Sequence, residues 1–142
     1  MAAMAAECAG EQGKYWDMNE KLMAQQAEWS GQSGAASTFK KYAGGLGLEQ
    51  AQFDACLDSS KYADRIASDQ QEGQAAGVSG TPTFLINGAL LVGAQPYTAF
   101  QQQIEYYLAG GQRPTLILMA DDFRSRGDAA APMVITEFSD FQ

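Results

Sequence analysis

The sequence predicts an α/β domain in which helices come first, followed by a β-hairpin, one more helix and two C-terminal strands. Three observations carry this reading. Apolar residues recur at helical spacing through the first half of the chain. At VSGTPTFLING, Val78 to Gly88, the pattern turns abruptly from helical to extended. Two further short apolar runs, Thr115 to Met119 and Met133 to Phe138, follow near the C-terminus.

From Tyr15 to Trp29 the residues Tyr15, Met18, Leu22 and Trp29 fall on one helical face, and Lys14, Asp17, Glu20 and Lys21 are left for the other. Ser30 to Gly34 reads as a loop. A short helix through Phe39 and Tyr42 is expected to stop at Gly44-Gly45, where glycine tolerates a left-handed cap. Leu48 to Leu57 repeats the amphipathic pattern with Phe53, Cys56 and Leu57. Another helix runs from Lys61 through Tyr62 and Ile66 to Ala76, capped by Gly77. The first half therefore reads as a bundle of about four helices. Its aromatics, Tyr15, Trp16, Phe39, Tyr42, Phe53 and Tyr62, are expected mostly in the core.

Thr83 to Ile86 and Ala89 to Val92 read as two strands joined by Asn87-Gly88, a pair that accepts the positive φ a tight hairpin turn requires. Pro96 suits the first turn of a helix carrying Phe100, Ile104, Tyr107 and Leu108 on one face. The segment from Asp121 to Asp128 is a polar connection. Residues 1–109 hold the helices, the hairpin and the last helix, and residues 110–142 a linker and the strand Met133 to Phe138, which belongs either to the same domain or to a following one.

Composition narrows the function. A chain of 142 residues with 46% hydrophobic content and a net charge of −8 is a globular domain without the basic stripe that nucleic acid requires. No apolar run reaches the ~20 residues of a membrane span. The N-terminal stretch lacks the basic region of a signal peptide. Histidine is absent, which excludes Ser-His and Cys-His nucleophile pairs and imidazole metal sites. The carboxylates form no convincing oxygen cage, so neither metal nor cofactor is expected. The two cysteines, Cys8 and Cys56, lie far apart and form no C-x-x-C. Their spacing alone is compatible with free thiols or with one disulfide.

GVSGTPTFLING and the following GAQPYTAFQQQI, Gly93 to Ile104, resemble the cis-proline strand, hairpin and last helix of DsbA-like thiol-disulfide oxidoreductases, a group within the thioredoxin superfamily. AAECAGEQGKYWDMNEKLM, Ala5 to Met23, and YAGGLGLEQAQFDACLDSSKYADRI, Tyr42 to Ile66, are similar to the helical insertion of that group. APMVITEFSDFQ, Ala131 to Gln142, resembles its first core strand, which in the group opens the domain and is followed at once by a C-x-x-C. The resemblance implies a thioredoxin-like fold with a helical insertion in rearranged order. The chain would be a circular permutant or the join of two tandem modules, with the catalytic cysteines outside these residues in either case.

The resemblance further implies that Thr81 and Pro82 form the substrate-facing loop, with the peptide bond between them cis and the residue before the proline offering its backbone to an extended peptide. Without the resemblance, Pro82 reads as a trans proline at the start of an edge strand. Cys8 and Cys56 correspond to positions that often carry a structural bridge, which would close a loop worth about 4 kcal/mol and favour an extracytoplasmic, periplasmic location. If Met133 to Phe138 is extended, Glu137 shares a face with Met133 and Ile135. That would match the buried acid which exchanges protons beneath the dithiol in the group. A strand-end glutamate reaching water is the other reading of Glu137, and Asp121, Asp122 and Asp140 read as solvated loop acids.

The expected partners are extended or unfolded protein substrates and a redox partner protein. A second copy of the chain could also pair with an uncovered sheet edge. Three functions follow: an oxidoreductase domain inactive without its dithiol, a redox-inactive peptide-binding module, and an assembly domain.

Overall fold

The computed structural model describes residues 1–112, 124–128 and 130–141. The expected strand Thr115 to Met119 and the first residues of the polar connection lie outside them. The described chain forms two compact bodies. A helical body comprises residues 1–69 with 124–125 and 141; a sheet body comprises residues 70–112, 126–128 and 130–140.

Six helices precede the hairpin: α1 (Ala2–Gly10), α2 (Tyr15–Ala24), α3 (Gln26–Trp29), α4 (Ala35–Gly45), α5 (Gln50–Asp58) and α6 (Ala63–Ala75). The helix α1 was not expected from periodicity, because its core-facing residues are alanines and a cysteine rather than large hydrophobes. It is nonetheless central to the body's core, with Ala5, Ala6 and Ala9 fully buried. Alanine has the highest intrinsic helix propensity, and its small side chain lets neighbouring helices approach closely. Met18, Leu22, Phe39 and Phe53 pack in the same core. Tyr15 and Tyr62 sit at its margin, half-buried.

The single helix expected from Tyr15 to Trp29 is broken at Gln25 (φ −114°, ψ 29°), giving α2 and α3. The last carbonyls of a helix lack internal donors. Near this break the buried indole N–H of Trp29 donates to the Leu22 carbonyl at 3.1 Å. Helix α4 ends at the expected glycine pair, but its left-handed cap lies two residues further on. The left-handed residue is Gly47 (φ +73°), with Leu48 N–H bonded to Ala43 O and Gly47 N–H to Gly44 O, the paired bonds of a Schellman cap. The cap expected at Gly77 is present, with φ +90° and the same bond pattern back to Gly73 and Gln74.

In the sheet body, β1 (Thr83–Ile86) and β2 (Ala89–Val92) form the expected hairpin, with Asn87 and Gly88 at φ 48° and 90°. Then come α7 (Tyr97–Leu108) and β3 (Ile135–Phe138). Pro96 stands just before α7 in extended backbone rather than within its first turn. The sheet order is β2-β1-β3 with both pairings antiparallel. The strand that comes last in the chain thus lies directly beside β1. Phe84 on one sheet face meets Phe100 of α7 edge-on at 4.9 Å.

The opposite face carries Leu85 and Phe138 and is covered by the end of α6. A β-carbon added at Gly73 would stand 3.0 Å from the Phe138 ring. Gly73→Val is therefore expected to destabilise the sheet body by about 2 kcal/mol through overpacking. Gly73→Ala should lie closer to neutral, because its helix-propensity gain of up to about 1 kcal/mol offsets the strain. Urea unfolding followed by Trp-independent far-UV signal checks this, and an unchanged Val midpoint would contradict the close approach.

The burial expected for Glu137 is not observed. It pairs in register with Phe84, but it is exposed, as is Ile135 at 49%. Ile135 and Glu137 share the sheet face that carries Phe84 and Ile86, and along β3 that face is exposed. Thr136 and Phe138 form its half-buried face.

Candidate functional site

The site is built on the four residues Gly80 to Thr83, where the chain enters β1. Pro82 faces β2 in the hydrogen-bonding alternation of β1, and having no N–H it can offer that side only its carbonyl. The Thr81-Pro82 peptide bond is cis. Three hydrogen bonds fix the loop. The fully buried Thr83 hydroxyl donates to the Gly80 carbonyl at 2.6 Å, closing the turn. Gly93 N–H donates to the Pro82 carbonyl at 2.8 Å, tying the loop to the end of β2. The Thr81 hydroxyl donates to Asp140 Oδ2 at 2.9 Å, tying it to the residues after β3.

What remains is the backbone of Thr81. The residue is exposed, and among the described residues its own N–H and C=O enter no hydrogen bond. An exposed residue whose amide and carbonyl enter no hydrogen bond among the described residues, on a loop held by three hydrogen bonds, can exchange one pair of bonds with an extended chain: the amide donates and the carbonyl accepts. Val92, the register partner of Thr83, flanks the loop and is 46% exposed. The expected site pair Thr81 and Pro82 is thus assembled, whereas Glu137 lies further along β3 with its side chain in solvent. Asp140 and Thr83 were not expected to contribute. Antiparallel register could have found Asp140, since it lies two residues beyond Phe138 and Thr81 lies two residues before Phe138's partner Thr83.

The cysteines belong to the helical body. Cys8 of α1 and Cys56 of α5 form a disulfide with S–S 2.01 Å and Cα–Cα 5.8 Å, and no free cysteine remains. Both are buried, at 1% and 6% exposure, which keeps them from attack by an external thiolate. Glu11 lies 3.6 Å from Cys56 Sγ. Its carboxyl is held below the usual range, chiefly by a hydrogen bond from Lys61 at 2.8 Å, with burial opposing.

Tyr62 is pushed up to about 12 by burial first and by its hydrogen bond to Glu11 second. Tyr42 is likewise pushed up to about 12 by burial and by its bond to Glu28 at 2.8 Å. Because both folded values lie above the unfolded value of about 10, the neutral phenols contribute stability that is complete below pH ~10 and is lost as pH rises through about 12. Urea midpoints should hold steady to about pH 9.5 and fall from there. The 295 nm phenolate absorbance of these two rings should appear only as the helices melt; early ionisation of all six tyrosines would contradict it.

Among the described residues no cluster of side chains could hold a metal ion, and no helix is long and apolar enough to cross a membrane.

A family model described as thioredoxin matches residues 1–106. Na(+)/H(+) antiporter NhaA 3 of Salinispora tropica is 41% identical over 88 residues, covering 62% of this chain and 13% of that protein. Na(+)/H(+) antiporter NhaA 1 of Salinispora arenicola is 36% identical over 110 residues, 78% of this chain and 16% of that protein. Na(+)/H(+) antiporter NhaA of Herminiimonas arsenicoxydans is 32% identical over 94 residues, 66% of this chain and 14% of that protein. The chain therefore corresponds to a small part of the length of these relatives. No solved structure matches it.

Proposed function

The chain belongs to the thioredoxin family, and on that premise we propose that it is a DsbA-like peptide-docking domain: it holds extended or unfolded protein segments at the Thr81-Pro82 loop and does not itself exchange disulfides. The observation that carries this reading is the exposed residue Thr81, whose backbone enters no hydrogen bond among the described residues, on a loop fixed by three hydrogen bonds. An extended peptide would add to it as a short strand, main chain to main chain, with little demand on sequence. Dithiol exchange needs an accessible thiolate, and both cysteines of this chain are buried and bonded to each other. The position of β3, last in sequence yet beside β1, supports a rearranged order of the thioredoxin-like elements. The bridge supports an oxidising, extracytoplasmic setting.

Two assays test the reading together. Insulin reduction should be negligible. Fluorescence anisotropy with S-carboxymethylated, permanently unfolded lactalbumin should show saturable binding that Pro82→Ala weakens about tenfold, equivalent to about 1.4 kcal/mol. Insulin turnover at the rate of a dithiol oxidoreductase would sink the redox-inactive part, and absence of binding would sink the docking part.

The relatives favour a second reading of the domain's setting. All three are named as antiporters, and this chain matches only 13 to 16% of their length. The domain would then be an accessory module of a membrane transporter. Deleting the matching segment from the Salinispora tropica antiporter should leave Na⁺/H⁺ exchange in vesicles intact while abolishing capture of the unfolded probe; retained capture would contradict the assignment.

A further inference from the structure

The β1–β3 ladder stops at Thr83 and Phe138, and the next residue pair in the same register and hydrogen-bonding parity would be Thr81 and Asp140. At the other end of the ladder the corresponding alternate pair is bonded through the main chain, Asn87 N–H donating to the Val134 carbonyl at 2.8 Å. Were the pattern continued past Pro82, Thr81 would spend its amide and carbonyl on the backbone of Asp140. It does not. The two residues meet instead through their side chains, hydroxyl to carboxylate, at 2.9 Å.

We infer that Asp140 is a positioning residue for peptide docking: by accepting the Thr81 hydroxyl it takes the place of the missing ladder pair and leaves the Thr81 amide and carbonyl to the ligand. This rests on the docking reading given above. The bond is charge-assisted, which makes it stronger than a neutral one. It restrains the Thr81 side chain, so the backbone of Thr81 is oriented before the ligand arrives and less freedom is lost on binding. The Thr83 hydroxyl holds Gly80 before Thr81, Gly93 holds Pro82 after it, and Asp140 holds Thr81 itself. The ligand this arrangement suits is one extended strand of peptide, recognised by its main chain.

The experiment measures the Kd of S-carboxymethylated lactalbumin by fluorescence anisotropy for the wild-type chain and four single variants, each checked for an unchanged urea midpoint. Thr81→Ser keeps the hydroxyl and Asp140→Asn keeps an acceptor; both should bind within about twofold of wild type. Thr81→Val and Asp140→Leu remove donor or acceptor, and each should raise Kd about five- to tenfold. The double variant Thr81→Val with Asp140→Leu should be no weaker than either single, because both remove the same bond. Binding of Asp140→Leu at the wild-type level overturns the inference while leaving the docking reading standing. Equal losses in Asp140→Asn and Asp140→Leu also overturn it, since charge and not the hydrogen bond would then be at work. If the wild-type chain fails to bind, the docking reading falls and this inference falls with it.

Discussion

Replacing both Cys8 and Cys56 by alanine is expected to lower the stability of the helical body by about 4 kcal/mol. The bridge joins α1 to α5 across a sequence separation of 48 residues. In the chain-entropy account, the cost of closing so long a loop is removed from the unfolded ensemble. Because single domains are stable by only about 5–15 kcal/mol, the loss is a large share of the total. For a body of this size it should appear as a drop in Tm of roughly 15–30 °C. Differential scanning calorimetry with and without reductant checks it. The two bodies need not melt together, so the transition to follow is the one reported by Trp29, buried in the helical core. Wild-type Tm in the double alanine variant would show that the helices are held by packing alone.

The second large effect is expected at Glu7. This carboxylate is buried at 3% exposure in α1, one residue before the bridge. Arg124 approaches Glu7 Oε1 at 3.5 Å and also bonds Asp69 at 2.6 Å, while Arg65 stands 4.0 Å from Oε2. Removing one member of such a group leaves the others desolvated without their counter-charge, a loss of 3–5 kcal/mol for fully buried pairs. Here Arg124 keeps Asp69 as a counter-charge, and Arg65, one-third exposed, recovers part of the loss by solvation. Glu7→Ala is therefore expected to cost about 2–3 kcal/mol, and Glu7→Leu no less. The loss should persist at about 0.5 M salt, where exposed ion pairs are screened. A stability change below about 0.5 kcal/mol in urea unfolding would mean that the arginines are satisfied elsewhere.

What could be read from the sequence followed the strength of each local pattern. The hairpin was legible to the residue, because Asn87-Gly88 at the turn and apolar runs on both sides point the same way. Helices α4, α5 and α6 were legible from their large apolar residues, with ends displaced by one or two positions. Helix α1 was not, since buried alanines carry no periodic contrast against their neighbours. The break between α2 and α3 was hidden because Leu22 and Trp29 keep the same face whether the helix continues or is interrupted.

The site was partly legible. Thr81 and Pro82 were marked by family resemblance, and Cys8 with Cys56 likewise. For Glu137 the sequence left a buried acid and a solvent-reaching strand-end glutamate both open, because alternation tells which residues share a face and not whether anything covers that face; the exposed reading is the one observed. The bond of the exposed Asp140 to Thr81 was not legible, since it depends on a register between β1 and β3 that joins residues 59 positions apart.

Docking of an extended chain at the Thr81-Pro82 loop is read out residue by residue in amide chemical-shift mapping. Titrating the ¹⁵N-labelled protein with S-carboxymethylated lactalbumin should shift the amides of Thr81, Thr83, Val92, Gly93 and Asp140 together, with one affinity, and leave α1 to α5 unmoved. Shifts confined to the helical body, or none at Thr81 when the anisotropy signal is saturated, would contradict it.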